Sequence, residues 1–256
     1  MKRASASSPS GTARPLTKPE SGLLPALAFA LVGVVSLVLA APSVHWLDSG
    51  NLVASAWTMG VAHPPGEPLY LALARLAQLL PIGDIAFRVT LLSCFSMALC
   101  APILHWLSGG GWLGFSLSAA ALLGFAAQAQ AGRPELYAPL ALLLLLGLVS
   151  ARRGGLVGWA GIGSLLALGV SIHPLLCAAA APGLVWLVAR DNITRGLALG
   201  IAAGMPALLA LLRTTGGLPA IVVAARALLR EFPRLLTPGA PCHNLFEALA
   251  RLGAAD

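Results

Sequence analysis

Apolar residues run along this chain in long blocks separated by short polar or Gly/Pro-rich gaps, rather than alternating with polar residues at strand spacing. Such blocks read as membrane spans when they reach about 18 residues and as interfacial or re-entrant helices when shorter. Leu23 to Ala41 is long enough to span. Ser49 to Gly60 predicts a short helix lying at the interface, because Leu52, Val53, Ala56 and Trp57 recur at helical spacing, and Trp46 and Trp57 suit the headgroup level. Glu67 to Leu80 is apolar but too short to cross at about 1.5 Å per residue, which predicts a re-entrant or interfacial helix. Ile85 to Leu107 predicts a full span with Pro102 as a kink point. Further spans are predicted over Trp112 to Ala129, Leu136 to Val149, Leu156 to Val170, Leu175 to Val188 and Gly196 to Leu212. The expected fold class is all-α, a polytopic transmembrane helical bundle of about seven spans with an interfacial or re-entrant helical first outer loop.

The flanks set the orientation. Residues 1–22 lack a hydrophobic pattern, are rich in Ser and Pro and carry Lys2, Arg3, Arg14 and Lys18, which predicts a disordered cytoplasmic tail. The first span then stays as an anchor, the N-terminus is cytoplasmic, and residues from Ser43 to about Gly83 face outward. The spans fill residues 23–213. Residues 214–256 form an outer segment in which Arg226, Arg230 and Arg234 stand four apart among apolar positions, the pattern of an amphipathic interfacial helix.

Composition supports the same picture: 58% of residues are hydrophobic and 10% charged, with a mean hydropathy of +0.86. A soluble domain carries about 25% charged residues, so a soluble enzyme is excluded on these grounds. The formal charge of +7 is spread singly or in pairs between apolar runs, which fits membrane topology and argues against a nucleic-acid partner. Cys94, Cys100, Cys177 and Cys242 lack metal-ligand spacing and read as small buried hydrophobes.

Against so apolar a background, the stretch Asp48 to Tyr70 stands out, with carboxylates and a histidine around the turn His63-Pro64-Pro65-Gly66. The predicted topology puts Asp48, His63, Glu67, Glu135 and His173 on the outer side near the ends of spans, where they could meet in one cavity. Four of them have a plainer reading: Asp48 and Glu135 suit helix N-termini, and His63 and His173 each precede a proline in a turn. Phosphate-loop, Ser-His-Asp and HExxH patterns are missing, as is a paired Asp-x-Asp for a metal-held nucleotide sugar. No cofactor or metal ligand set is indicated.

Three elements in order carry a family resemblance: Asp48-Ser49-Gly50 followed by Gly60-Val61-Ala62-His63-Pro64-Pro65-Gly66-Glu67-Pro68-Leu69-Tyr70 and then Leu80 to Arg88; Pro134-Glu135-Leu136-Tyr137; and Gly169-Val170-Ser171-Ile172-His173-Pro174. Together they resemble a bacterial membrane-protein family related to the protein O-mannosyltransferases, placed in the GT-C class of membrane glycosyltransferases. The family usually has an acidic residue where Asn51 stands and an aromatic where Glu67 stands. The resemblance implies a GT-C-like bundle in the bacterial inner (plasma) membrane. It implies transfer of a sugar such as mannose from a polyprenyl-phosphate donor to a hydroxyl of an acceptor protein or glycan outside the cytoplasm. It places Asp48 as the base; on this reading Glu135 is the second catalytic group, assisting by acceptor or metal contact, His63 and His173 shape the donor phosphate site, and Glu67, Tyr70, Arg133 and Tyr137 complete the substrate-binding set. Arg133, Arg88 and Arg75 are the cations available to a leaving phosphate. The alternative is an inactive or truncated member, or a non-enzymatic accessory or transport-like membrane protein.

Overall fold

The structure is a computed structural model that describes residues 22–45, 48–62 and 67–173 together with several positions between 176 and 184. The N-terminal tail, Trp46, the His63-Pro64-Pro65-Gly66 turn, most of the arm from Leu175 to Val188, the span Gly196 to Leu212 and the C-terminal segment with its arginines and Cys242 lie outside the described residues. Among the described residues the structure is helical throughout, with no strands: α1 Leu23–Val38, α2 Ser49–Thr58, α3 Pro68–Gln78, α4 Ile85–Leu107, α5 Gly111–Leu122, α6 Phe125–Ala131, α7 Tyr137–Arg153 and α8 Gly155–Val170.

Helix α4 is the mast of the bundle and packs on α1, α3, α5 and α7. It starts where the Asp84 side chain accepts a hydrogen bond from the Ala86 amide at 2.8 Å, satisfying one of the donors a helix start leaves open. Its 23 residues make it the one described helix long and apolar enough to cross a membrane unaided, and it continues through Pro102. The expected span Trp112 to Ala129 is instead two helices, α5 and α6, bent by 68° at Leu123-Gly124. Taken together they pass the same length and apolarity test, while α1 and α8 are apolar but shorter. The described residues therefore contain one or two helices of spanning length rather than a full bundle of seven.

Side-chain bonds repair what the break in α5–α6 leaves open. Gln128 Nε2 donates to the Leu122 carbonyl at 2.7 Å, and its Oε1 accepts from Ser36 Oγ of α1 at 3.0 Å. The Cys94 thiol of α4 shares its one proton between the carbonyls of Ser36 and Ala131, at 3.4 and 3.3 Å. In a low-dielectric interior an unpaired backbone carbonyl costs several kcal/mol, so these bonds decide where the chain can bend. Beyond α6, the Ala41 amide donates to the Gly132 carbonyl at 2.7 Å, tying the end of α1 to the loop that follows α6.

The remaining helices bury two faces of a shared core. Leu52, Val53 and Ala56 of α2, Tyr70, Leu71 and Ala74 of α3, Ala86 and Val89 of α4, Leu136, Leu140 and Ile172 form one cluster. Gln78 fastens α3 to α2, its Nε2 donating to the Val53 carbonyl at 2.9 Å. Arg88 fastens the turn between α3 and α4: its Nε, Nη1 and Nη2 donate to the carbonyls of Ile82, Gln78 and Gly83 at 2.9, 2.9 and 3.0 Å. Helices α7 and α8 form a tight hairpin through Gly154, where φ of 63° favours glycine, and a Cβ at Gly158 would sit 2.7 Å from the Ser150 carbonyl.

Gly132→Ala would place its Cβ 2.7 Å from the Leu39 carbonyl, a backbone atom that cannot yield. The variant should lose about 1–3 kcal/mol of stability in detergent thermal unfolding. Gly22→Ala, with nothing within 4 Å, should match the parent in the same measurement.

Candidate functional site

The loop between α6 and α7 is where the chain brings a carboxyl inward. Ser93, from the middle of α4, grips the backbone of Glu135 on both sides: Ser93 Oγ donates to the Glu135 carbonyl at 2.9 Å and accepts from the Glu135 amide at 3.3 Å. The side chain that this grip positions is 4% exposed. Its one described ion pair is with Arg133, Nε to Oε1 at 3.4 Å, and Arg133 Nη2 also donates to Gln130 Oε1 at 3.1 Å. Removal from water pushes the Glu135 carboxyl up to about 7; the Arg133 guanidinium pulls it down and the Asp48 carboxylate adds to the rise.

Asp48 stands at the N-cap of α2, exposed, with no side-chain bond to the helix start, so its place in the sequence is capping while its side chain is not. Glu135 likewise does not cap α7, whose first residue is Tyr137 and whose N-cap is Leu136. Glu67 precedes α3 and is buried, again without a side-chain cap bond. One turn into α3, Tyr70 is fully buried and its hydroxyl finds no hydrogen-bond partner among the described residues. Burial, then the charges of Glu135 and Glu67, hold that phenol far above its ordinary value, so it stays protonated and serves only as a neutral hydrogen-bonding group.

The third sequence element arrives through the turn after α8. The Leu69 amide donates to the Ser171 carbonyl at 3.2 Å, joining the start of α3 to that turn, and Ile172 is buried in the same core as Tyr70. His173 then lies beside Tyr137, ring centroids 6.1 Å apart and planes tilted by 34°. Its Nδ1 accepts from the Leu176 amide at 3.3 Å, which assigns the remaining ring proton to Nε2, and burial lowers its affinity for a second proton. Asp48, Glu67, Tyr70, Arg133, Glu135, Tyr137 and His173 thus come from three distant segments to one end of the helices, and His63 lies outside the described residues.

The other two cations named from sequence are engaged elsewhere. Arg88 closes the α3–α4 turn as described, and the Arg75 guanidinium lies 4.3 Å from the centre of the Trp57 ring. That leaves Arg133 as the described arginine facing the acids. Among the described residues no group of three or more His, Cys, Asp or Glu side chains is placed to hold a metal ion. Sequence reasoning passed over Ser93. Its signal is the polar stripe Thr90, Ser93 and Ser96 inside an otherwise apolar span, all three buried.

The described residues thus hold a buried carboxyl paired to arginine, with the Asp48 charge acting on it. Residues 48–109 match the model of the Protein O-mannosyl-transferase TMEM260 N-terminal domain. The Mus musculus protein named Protein O-mannosyl-transferase TMEM260 is 42% identical over 79 residues, which is 30% of this chain. The chain spans 11% of the length of that curated relative. No solved structure matches the chain. A relation to the protein O-mannosyltransferases is therefore supported over the stretch that supplies Asp48, Glu67, Tyr70 and Ser93.

The fold favours protonated Glu135, so its stabilisation is complete below the ordinary carboxyl value of 4.5 and is lost as pH rises through about 7. Thermal unfolding should show parent stability falling across that window relative to Glu135→Gln, whose amide does not titrate; parallel curves would mean the carboxyl is not held in its neutral form.

Proposed function

We propose that this chain carries the acid-bearing region of a membrane glycosyltransferase of the protein O-mannosyltransferase type, moving a sugar from a polyprenyl-phosphate donor to an acceptor hydroxyl. The observation that carries the reading is the position of Asp48: exposed, within electrostatic reach of buried Glu135, and inside the matched stretch 48–109. A hydroxyl is a weak nucleophile near neutral pH. An exposed carboxylate that meets it takes its proton as the oxygen attacks the anomeric carbon. The bond from that carbon to the phosphate oxygen breaks in the same step, the lipid phosphate leaves with the electron pair, and the anomeric configuration inverts.

Glu135 and Arg133 act as a unit in this reading. With its carboxyl ionised, Glu135 neutralises Arg133; with a proton on it, the guanidinium is released to the departing phosphate. Tyr70 and Glu67 line the inner wall, and Tyr137 and His173 form the side where the Nε2 proton of the imidazole can be given to a phosphate oxygen. A donor anchored in the bilayer fits a site at the end of apolar helices, with the cytoplasmic N-terminus and outward-facing acids of the predicted topology. A second reading, a family member without transfer activity, rests on Asn51 standing where the family resemblance expects an acid.

Asp48→Asn in detergent-solubilised full chain should lower transfer from a polyprenyl-phosphate mannose by about 10²–10⁴-fold, the usual worth of a general base, with membrane insertion unchanged. Parent-level transfer in that variant would remove Asp48 as the base, and no transfer by the parent would favour the second reading.

A further inference from the structure

A second feature lies on the other edge of α3, away from the acids. Tyr70, Leu71, Ala74 and Gln78 turn one edge of this helix into the core, while Leu73, Leu76, Ala77 and Leu80 face a cavity of about 530 Å³ whose other walls are α1 and α4. Phe29 and Leu37 of α1 and Leu92 and Phe95 of α4 line it. The volume falls in the range of about 300–1,000 Å³ usual for small-molecule sites. Leu37, Leu76 and Phe95 at its edge are more than half exposed, so the cavity opens sideways onto the apolar flank of the helices rather than toward the polar end.

Arg88 belongs to the same wall. It sits in the first turn of α4, the level at which a span beginning at Ile85 meets lipid headgroups. Three of its N–H groups are given to the carbonyls of Gln78, Ile82 and Gly83. A guanidinium has five donors, so two remain, and no carboxylate pairs with its charge among the described residues. An apolar trough opening sideways with an unneutralised cation at its rim has the complementarity of an anionic lipid.

We infer that the groove between α1, α3 and α4 seats one acyl chain of an anionic bilayer phospholipid, whose phosphate takes the two remaining Arg88 donors. This lipid is a structural ligand and not the sugar donor: α3 stands between the groove and the acids, so a lipid held here cannot present its headgroup to Asp48. It holds α3, and with it Glu67 and Tyr70, against the span helices. The inference rests on the membrane placement proposed above and not on the transfer reaction.

The test uses the full chain expressed in membranes. Carbonate-washed membranes are fractionated first; recovery of the chain in the aqueous phase would overturn the membrane placement and this inference together. The membrane-bound chain is then purified in mild detergent and its retained lipids are identified by mass spectrometry. Phosphatidylglycerol should be retained at one per chain by the parent and lost from Ala77→Trp and from Leu73→Trp, which fill the groove while leaving the acids untouched; helical circular dichroism checks that both variants fold. In a parallel arm without variants, vesicles of phosphatidylcholine containing phosphatidylglycerol should raise the parent's unfolding midpoint above that in pure phosphatidylcholine. Equal retention by parent and filled variants, equal midpoints in the two vesicles, or displacement of phosphatidylglycerol by equimolar polyprenyl phosphate would each overturn the inference, the last by making the groove the donor's site. Asp48→Asn should retain the lipid as the parent does, which separates failure here from failure of the proposed transfer.

Discussion

An apolar chain can interrupt a helix only where another group takes over the backbone bonds that the interruption frees, and this constraint shapes the structure described here. Gln128 does so at the break between α5 and α6, bridging the Leu122 carbonyl to Ser36. Cys94 does so for Ser36 and Ala131, and Ser93 for both backbone groups of Glu135. Each donor comes from a helix other than the segment it repairs or from across its break.

The chemistry grows from the same bonds. Because Ser93 satisfies the main chain at Glu135, the loop can run through a dry interior, and its carboxyl is carried out of water as a consequence. Desolvation then raises the carboxyl toward neutrality, with the Asp48 charge adding to the rise and Arg133 opposing it. The bond from Leu69 to Ser171 adds the third segment and sets His173 beside Tyr137. A site assembled in this way depends on α4 more than on any loop, since α4 supplies the grip on Glu135 and the packing for α3.

Much of the helical layout could be read from apolar block lengths. Ile85–Leu107 has the bounds expected of it, and α2, α3 and α8 fall where helical spacing and Gly/Pro gaps placed them. The break at Leu123-Gly124 was not legible, because the groups that satisfy it include a hydrogen bond between residues 92 positions apart. The three acid- and histidine-bearing elements were visible as charge in an apolar background. Which arginine faces them was not: Arg75 and Arg88 look as available as Arg133 until the aromatic ring and the three carbonyls that engage them are seen. Of the seven expected spans, most of Leu175 to Val188 and all of Gly196 to Leu212 lie outside the described residues, and what is described offers one or two of spanning length.

Asn51 shows how a single amide can decide what a neighbouring position is allowed to become. Its Nδ2 donates to the Ala62 carbonyl at 2.7 Å, and its Oδ1 accepts from Ser55 at 3.2 Å, so it ties the first turn of α2 to the loop that follows the helix. Aspartate has the same shape but no hydrogen to give, and would set a negative oxygen against the Ala62 oxygen. An acid at this position thus demands a differently routed approach to the prolines.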